Sequence, residues 1–409
     1  MAKAIDDHPR CHESGLADPA FTLRPRDISI DYLRATLTVM VVAHHSALAY
    51  TTFAHFNMAQ YLESTAPVVN ERHTIFLDYA ENFNDVFFMS LMFFVSGLFV
   101  WPSLLCGGAM AFLKSRMLRL GIPFVALVPT LMPMAYYASW LITGSNEGFA
   151  SYWLQNVTQG FTPGPLWFVW LLLLFDIVIA IVFLARQKRD IALMPKATLL
   201  ERRPLLMAFI MFSACGFAYL PALKVFGFAG WSVFLVRPLY FQTSRFGLYL
   251  LWFMAGVWIG RGGTNRGLLA RDGGLVRHWL LWVVGSVVAY TLLMTVPHSS
   301  IIMVGLSAPG RGALEAILWV LSCVASCFGF LAIFRGTVRR PHPWMNNLAR
   351  CAYGIYLVHY LFVLWCQWLL LGQNLHAGVK FLITFIVALA LSWATARVML
   401  LVPAIRKVV

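Results

Sequence analysis

The sequence predicts an all-α integral membrane protein that crosses the bilayer several times. Hydrophobic residues make up 60% of the 409 residues and charged residues only 12%, with a mean hydropathy of +0.72. A soluble chain of this length needs more charge to cover its surface. Apolar runs of about 20 residues, the length that crosses a hydrocarbon core of roughly 30 Å, recur along the whole chain. No polar stretch is long enough to form a separate soluble domain.

Ten transmembrane helices are predicted from these runs. They cover residues 28–52, 83–104, 120–142, 163–185, 205–225, 243–260, 279–297, 311–334, 350–371 and 379–402. The predicted organisation is a polar N-terminal tail at 1–27, a membrane domain at 28–402 and a short basic tail at 403–409.

Lysine and arginine residues are distributed unevenly between the two predicted faces of the membrane. Most of the 31 lie in the two tails, in the loops after even-numbered spans, or beside them. Positive residues mark the cytoplasmic side, which places both termini in the cytoplasm. The net charge of +14 is therefore attributed to topology and to anionic membrane lipids, and no nucleic acid partner is predicted. Residues 1–27 contain no apolar core of a signal peptide, so no cleavable signal is expected.

Three ionisable residues share one face of the first predicted span. Arg34 and His45 are eleven residues apart and differ by only about 20° around a helix. Asp31 is one turn below Arg34, close enough for an ion pair. Because a charge facing lipid costs at least about 2.5 kcal/mol, this face is expected to line a polar cavity or to contact other helices. The alternative is that Arg34 extends to the headgroups and that the histidines bond neighbouring helices, as we expect for His44.

Arg116 and Arg119 lie three residues apart at the predicted cytoplasmic start of the third span. On a helix they share one face, and paired arginines bind phosphate groups in a forked geometry. The rule that positive residues flank the cytoplasmic side accounts for them equally well. Both interpretations stay open at this point.

The order of motifs along the chain resembles the membrane acyltransferase-3 family. The segments are "DYLRATLTVMVVAHH", "FFMSLMFFVSGLFVW", "KSRMLRLGIPF", "GPLWFVWLLLLFD" and "YGIYLVHY". Within the family, "RLGIP", "PLWF" and "IYLVH" are similar to a subgroup of periplasmic glucan succinyltransferases. The resemblance implies a multi-pass protein of the bacterial inner membrane. It also implies that an acetyl or succinyl group moves from cytoplasmic acyl-CoA to an extracytoplasmic carbohydrate acceptor, with no bound cofactor or metal.

The resemblance also implies roles for the residues singled out above. His45 is expected to act as the general base, since a neutral imidazole accepts a proton at physiological pH. Arg34 is expected to orient the donor or to stabilise developing negative charge, with Asp31 holding it in place. Arg116 and Arg119 are expected to bind the phosphates of coenzyme A.

Three further side chains in the predicted spans are candidates for the site. Trp167 and His359 are expected to bind the acceptor, with a membrane-interface anchor and an interhelical hydrogen bond as the respective alternatives. Asp176 lies inside a span and needs a partner. Many family members have a glutamate soon after a Leu-Trp pair, but Asp176 is the first acid after Trp167 here. The role of that glutamate therefore does not transfer to this chain.

A different class of protein also accounts for polar residues inside a membrane. A transporter or flippase for a polar or glycosylated solute has such residues along its path. The two halves of this chain, however, show no matching pair of spans interrupted by glycine or proline. The acyltransferase interpretation is therefore preferred, with the transporter as the alternative. The seven scattered cysteines form no pattern of metal ligands.

Overall fold

The computed structural model describes residues 27–185, 202–300 and 304–408, and α-helices account for most of them. The N-terminal half contains α1 (Ile28–Leu48), α2 (Ile75–Gly97), α3 (Val100–Arg116), α4 (Ile122–Ile142), α5 (Phe149–Gln159), α6 (Trp167–Ala185) and α7 (Pro204–Phe226). The C-terminal half contains α8 (Phe246–Gly262), α9 (Gly274–Arg277), α10 (Trp279–Thr295), α11 (Ala308–Thr337), α12 (Pro343–Leu369), α13 (Ala377–Met399) and α14 (Pro403–Arg406). Apart from Asp27, the predicted N-terminal tail lies outside the described residues.

The helices account for all ten predicted spans. Among the described residues, seven helical stretches are long and apolar enough to cross a bilayer. They are Val100–Ile142, Phe149–Ala185, Pro204–Phe226, Trp279–His298, Ala308–Thr337, Pro343–Leu369 and Ala377–Met399. The other three predicted spans correspond to α1 and α2, which carry ionisable side chains, and to α8, which has only 17 residues. The helical, multi-pass architecture is therefore confirmed, whereas the number ten and the cytoplasmic termini stay predictions.

Helix α2 differs from its predicted boundaries. It begins at Ile75 and ends at Gly97, whereas the sequence predicted residues 83–104. The polar residues in its first turns weakened the apolar signal there, but several of them have partners. Asp78, for example, accepts hydrogen bonds from the backbone nitrogen of Thr52, at 2.8 Å, and from its hydroxyl group. Partnered polar groups let the helix start two turns earlier than its hydropathy predicts.

Residues 105–119, which lie between the second and third predicted spans, are largely helical rather than a loop. Helices α3 and α4 are joined by a π-helical turn at Met117–Gly121, so the segment carrying the two arginines is helical. The chain bends instead at Gly108, where φ is +73°. Glycine adopts this left-handed conformation without a steric penalty.

A short β-hairpin, which the sequence did not predict, lies between α7 and α8. Its strands β1 (Trp231–Val233) and β2 (Tyr240–Gln242) pair antiparallel. The indole nitrogen of Trp170, in α6, donates to the carbonyl oxygen of Tyr240 at 2.7 Å. The hairpin is thereby fixed to the helical domain.

Helices α2 and α8 pack with almost no side chain between them. A Cβ atom added to Gly97 would lie 2.3 Å from the carbonyl oxygen of Phe253, and one added to Gly256 would lie 2.1 Å from that of Phe94. Gly260 approaches the backbone of Leu98, the residue that follows α2, in the same way. Gly256 and Gly260 form a Gly-xxx-Gly motif, which allows helix backbones to approach closely in membranes.

Helix α1 packs against α2 and α12 and also contacts α11 and α13. Its first turn is fixed by a buried arginine of α11. The Nη1 atom of Arg335 donates to Asp27 at 2.5 Å and to the hydroxyl of Ser29 at 2.9 Å. The remaining guanidinium nitrogens donate to the carbonyl oxygens of Thr264 and Leu269. The sequence alone does not distinguish this arginine from the other basic residues of the positive-inside pattern.

The ion pair at this end of α1 persists over a wide range of pH. Burial alone would raise the pKa of Asp27, but the Ser29 hydroxyl and Arg335 lower it below its ordinary value of 3.8. A carboxylate with a lowered pKa stabilises the fold above its unfolded pKa, and this contribution is lost as the pH falls through the folded value. Above about pH 4 the contact is therefore expected to be intact.

Candidate active site

His45 lies in the last turn of α1, and its imidazole is partly exposed. Its Nδ1 atom is 2.9 Å from the carbonyl oxygen of Val41 and 3.2 Å from the Nε2 atom of His359, in α12. The ring of Tyr360 packs edge-on against the imidazole, with ring centroids 5.1 Å apart. The structure thus brings the two sequence-predicted histidines into direct contact.

The neighbours of His45 determine which of its nitrogens carries the proton. A carbonyl oxygen only accepts hydrogen bonds, so the Nδ1 atom beside Val41 is the donor. In the neutral imidazole, assigned in this way from its partners, Nε2 therefore keeps its unshared electron pair. An imidazole in this state accepts a proton from a hydroxyl group at Nε2.

The end of α1 is held in place by a buried amide of α12. The Nε2 atom of Gln367 donates to the carbonyl oxygens of His45 and Ser46, at 2.9 and 3.3 Å. The last carbonyl groups of a helix have no donor within the helix, so Gln367 supplies one. This contact fixes the position of His45 relative to α12.

His44 faces a different neighbour from His45, as the helix geometry predicted. Its ring packs against Phe88 in α2, with ring centroids 5.1 Å apart. Its Nδ1 atom lies 3.7 Å from a carboxylate oxygen of Glu81. His44 is thus a buried contact between α1 and α2.

Asp31 and Arg34 form the predicted ion pair, with 3.5 Å between their side chains. The side chain of Arg34 is 46% exposed. The eleven residues to His45 correspond to about 16 Å of helix rise. The structure therefore does not bring Arg34 into contact with His45, and the roles of Arg34 and Asp31 stay predictions.

Arg116 and Arg119 do not share one helical face as closely as predicted. The π-helical turn that follows Arg116 places more residues in each turn than an α-helix does, so residues three apart are further apart around the axis. The Nε atom of Arg116 lies 3.2 Å from a carboxylate oxygen of Asp176, which is fully buried in α6. Arg119 is exposed, and its carbonyl oxygen accepts a hydrogen bond from the hydroxyl of Tyr353. The partner that Asp176 was expected to need is therefore Arg116.

Trp167 begins α6 and lies in a cluster of aromatic rings. Its ring centroid is 5.6 Å from those of Tyr249 and Trp231 and 6.5 Å from that of Phe93. Its proposed role in acceptor binding stays a prediction. Nearby, the hydroxyl of Tyr356 donates to the carbonyl oxygen of Pro165, which links the start of α6 to the helix that carries His359.

Comparison with known proteins identifies the family. A family model described as an acyltransferase domain, of the acyltransferase-3 type, matches residues 27–397. This chain belongs to that acyltransferase family. Three relatives named glucans biosynthesis protein C, from Salmonella schwarzengrund, Salmonella typhi and Salmonella typhimurium, are each 24% identical over 231 residues. The match covers 56% of this chain and 54% of each relative, so the chain spans about half the length of the curated relatives it matches. No solved structure matches the chain.

The acyltransferase contains a second polar cluster that sequence reasoning missed. Asp85 of α2 accepts two hydrogen bonds from the guanidinium of Arg245, at 2.7 and 2.6 Å, and Arg245 is only 1% exposed. The guanidinium also lies over the rings of Phe228 and Trp319. The sequence did contain a signal for this cluster. Glu81 and Asp85 lie four residues apart in α2, and an acid inside a membrane requires a partner.

Proposed function

We propose that this membrane acyltransferase moves an acetyl or succinyl group from cytoplasmic acyl-CoA to a hydroxyl of an extracytoplasmic glycan or related acceptor. Its family supports acyl transfer, and its similarity to proteins named for glucan biosynthesis supports a carbohydrate acceptor. The observation that carries the proposal is the hydrogen bonding of His45, which leaves Nε2 as the basic nitrogen. The proposed location is the bacterial inner membrane.

In the proposed reaction, Nε2 of His45 takes the proton of the acceptor hydroxyl as its oxygen attacks the thioester carbonyl carbon. A C–O bond forms, and negative charge develops on the carbonyl oxygen. The intermediate then collapses, the C–S bond breaks, and the sulfur of coenzyme A leaves with the electron pair of that bond. His45 returns the proton to the sulfur, so that the products are an ester and a free thiol.

Arg34 and Asp31 are proposed to act on the donor side of this reaction. They lie on the same helix as His45, towards the predicted cytoplasmic end. A guanidinium held by a carboxylate presents its remaining N–H groups in a fixed orientation. We therefore assign Arg34 to orienting the acyl-CoA and Asp31 to holding Arg34.

Release of free thiol is the direct test of this proposal. Membranes that contain the protein are expected to release coenzyme A from acetyl-CoA or succinyl-CoA, and to do so faster when an acceptor glycan is present. The acceptor should gain one acyl group for each thiol released, which mass spectrometry of the glycan measures. A transporter would instead move solute across sealed vesicles without releasing thiol, and that result would contradict the proposal.

The binding of the donor by Arg116 and Arg119 is a second testable proposal. Because Asp176 contacts the Nε atom of Arg116, the terminal nitrogens are assigned to the phosphates of coenzyme A. Two charge-assisted hydrogen bonds contribute about 1.5–3 kcal/mol each, so losing both is expected to raise the donor KM at least about 100-fold. The variant to measure is Arg116→Ala/Arg119→Ala/Asp176→Asn, in which the substitution of Asp176 avoids an unpaired buried carboxylate.

Two controls separate donor binding from general effects of charge. Asp176→Asn alone should leave the donor KM near that of the wild type. Arg339→Ala/Arg340→Ala removes two charges from a cytoplasmic-side groove of about 450 Å³ between α11 and α12. If this control raises the donor KM while the triple variant does not, the phosphates bind at the groove and the assignment to Arg116 and Arg119 is wrong.

A further inference from the structure

His359 lies directly behind the proposed base and cannot reach a substrate. Its side chain is fully buried, with 0% exposure. Both ring nitrogens already have partners, because Nδ1 lies 2.7 Å from the carbonyl oxygen of Tyr356 and Nε2 lies 3.2 Å from Nδ1 of His45. The position of His359 therefore does not favour its predicted role in acceptor binding.

The nitrogen that carries the proton in each of these two histidines can be assigned, starting from the carbonyl oxygen of Tyr356. The carbonyl oxygen of Tyr356 only accepts, so Nδ1 of His359 is the donor of that hydrogen bond. In the neutral ring of His359, Nε2 is then an acceptor. It faces the Nδ1–H group of His45, which donates both to it and to the carbonyl oxygen of Val41.

We propose that His359 is a positioning residue that orients the imidazole of His45 and keeps its proton on Nδ1. This inference rests on the proposed function, since it assumes that His45 is the base. A histidine whose second nitrogen is held by a hydrogen-bond partner has one tautomer and one ring orientation. When His45 has taken the proton of the acceptor, its Nδ1–H group becomes a stronger donor, and Nε2 of His359 is positioned to stabilise it.

The size of the effect is limited by the second acceptor on His45. Loss of the partner that orients a metal-bound histidine typically costs about 10–100-fold, and we take this range for a partner that orients a catalytic histidine. Loss of the tautomer itself costs about 10⁴-fold in a serine protease. Because the carbonyl oxygen of Val41 still accepts from Nδ1 when His359 is absent, we expect the smaller value.

Two substitutions of similar size distinguish positioning from packing. His359→Leu fills the buried site without an acceptor, whereas His359→Gln offers an amide oxygen to the Nδ1–H group of His45. We expect His359→Leu to lower kcat about 10–100-fold with the KM of donor and acceptor unchanged, and His359→Gln to recover most of kcat. Abundance and thermal midpoint in detergent are measured for both proteins.

A spectroscopic measurement tests the tautomer without relying on activity. In protein labelled with ¹⁵N-histidine, the resonances of His45 are assigned by their loss in His45→Ala. Wild type and His359→Gln are expected to show a protonated Nδ1 and an unprotonated Nε2. In His359→Leu, where the carbonyl oxygen of Val41 is the remaining acceptor, this tautomer should still dominate, with a minor fraction protonated on Nε2.

The outcomes separate this inference from the proposed function. If His359→Leu and His359→Gln have the same kcat, or if His359→Leu keeps the wild-type rate, His359 does not position the base. If the wild type releases no thiol with any acceptor, or if His45→Ala stays active, the proposed function itself has failed.

Discussion

Replacing His45 with alanine is expected to abolish nearly all acyl transfer while the protein still reaches the membrane at normal abundance. Removing a general base typically lowers a rate by about 10²–10⁴-fold. The imidazole is partly exposed at the end of α1, so its loss leaves only a small defect in packing. The measurement is the rate of thiol release at saturating donor and acceptor, divided by the amount of protein in the membrane.

His44→Ala is the matched control, because it removes the same side chain from the adjacent position. His44 packs against Phe88 and Glu81 rather than against His359. We expect most of the activity to remain, with some loss of stability because the buried ring no longer packs against Phe88. An inactive His44→Ala protein beside an active His45→Ala protein would reverse the assignment of the two histidines.

Asp85→Ala is expected to cause a large loss of stability. It leaves the guanidinium of Arg245 buried without the carboxylate that accepts two of its hydrogen bonds. Removing one partner of a buried ion pair typically costs about 3–5 kcal/mol. The expected result is a much lower denaturation midpoint in detergent, measured by size-exclusion chromatography after heating, together with loss of activity.

Two further variants test whether the buried charge is the cause. In Asp85→Leu/Arg245→Met both charges are removed, and apolar replacement of a buried pair is often neutral or stabilising. This protein is expected to recover most of the midpoint. Asp78→Ala removes an acid at the start of the same helix, where its partner is Thr52, and should have a small effect. Equal midpoints for Asp85→Ala and Asp78→Ala would show that the pair with Arg245 does not stabilise the fold.

Helical periodicity predicted the local features of the candidate site. It placed Asp31 within reach of Arg34 and turned His44 and His45 towards different neighbours, and the structure shows both arrangements. Both features involve residues within one turn of each other in a single helix, and the geometry of an α-helix determines how such side chains are oriented.

The contacts between distant helices could not be predicted from one sequence. Asp176 was expected to have a partner, but nothing in the sequence identified Arg116, since their contact depends on how α3 packs against α6. The π-helical turn after Arg116 was also missed, because it changes the spacing of residues without any apolar signal. Asp85 lay inside the predicted second span, but nothing in the sequence identified Arg245, 160 residues away, as its partner.

The contact between His45 and His359 has a consequence for synthesis of the protein. The two residues are 314 positions apart in the chain, and ribosomes add about 5–20 residues per second, so the second follows the first by roughly 15–60 s. Throughout this interval α1 resides in the membrane without the neighbour that holds its imidazole, and without Gln367 at its final carbonyl groups. If His45 is the base, as proposed, a nascent or truncated chain lacks the contacts that orient it, and full acyl transfer is expected only after the ninth predicted span has been inserted beside the first.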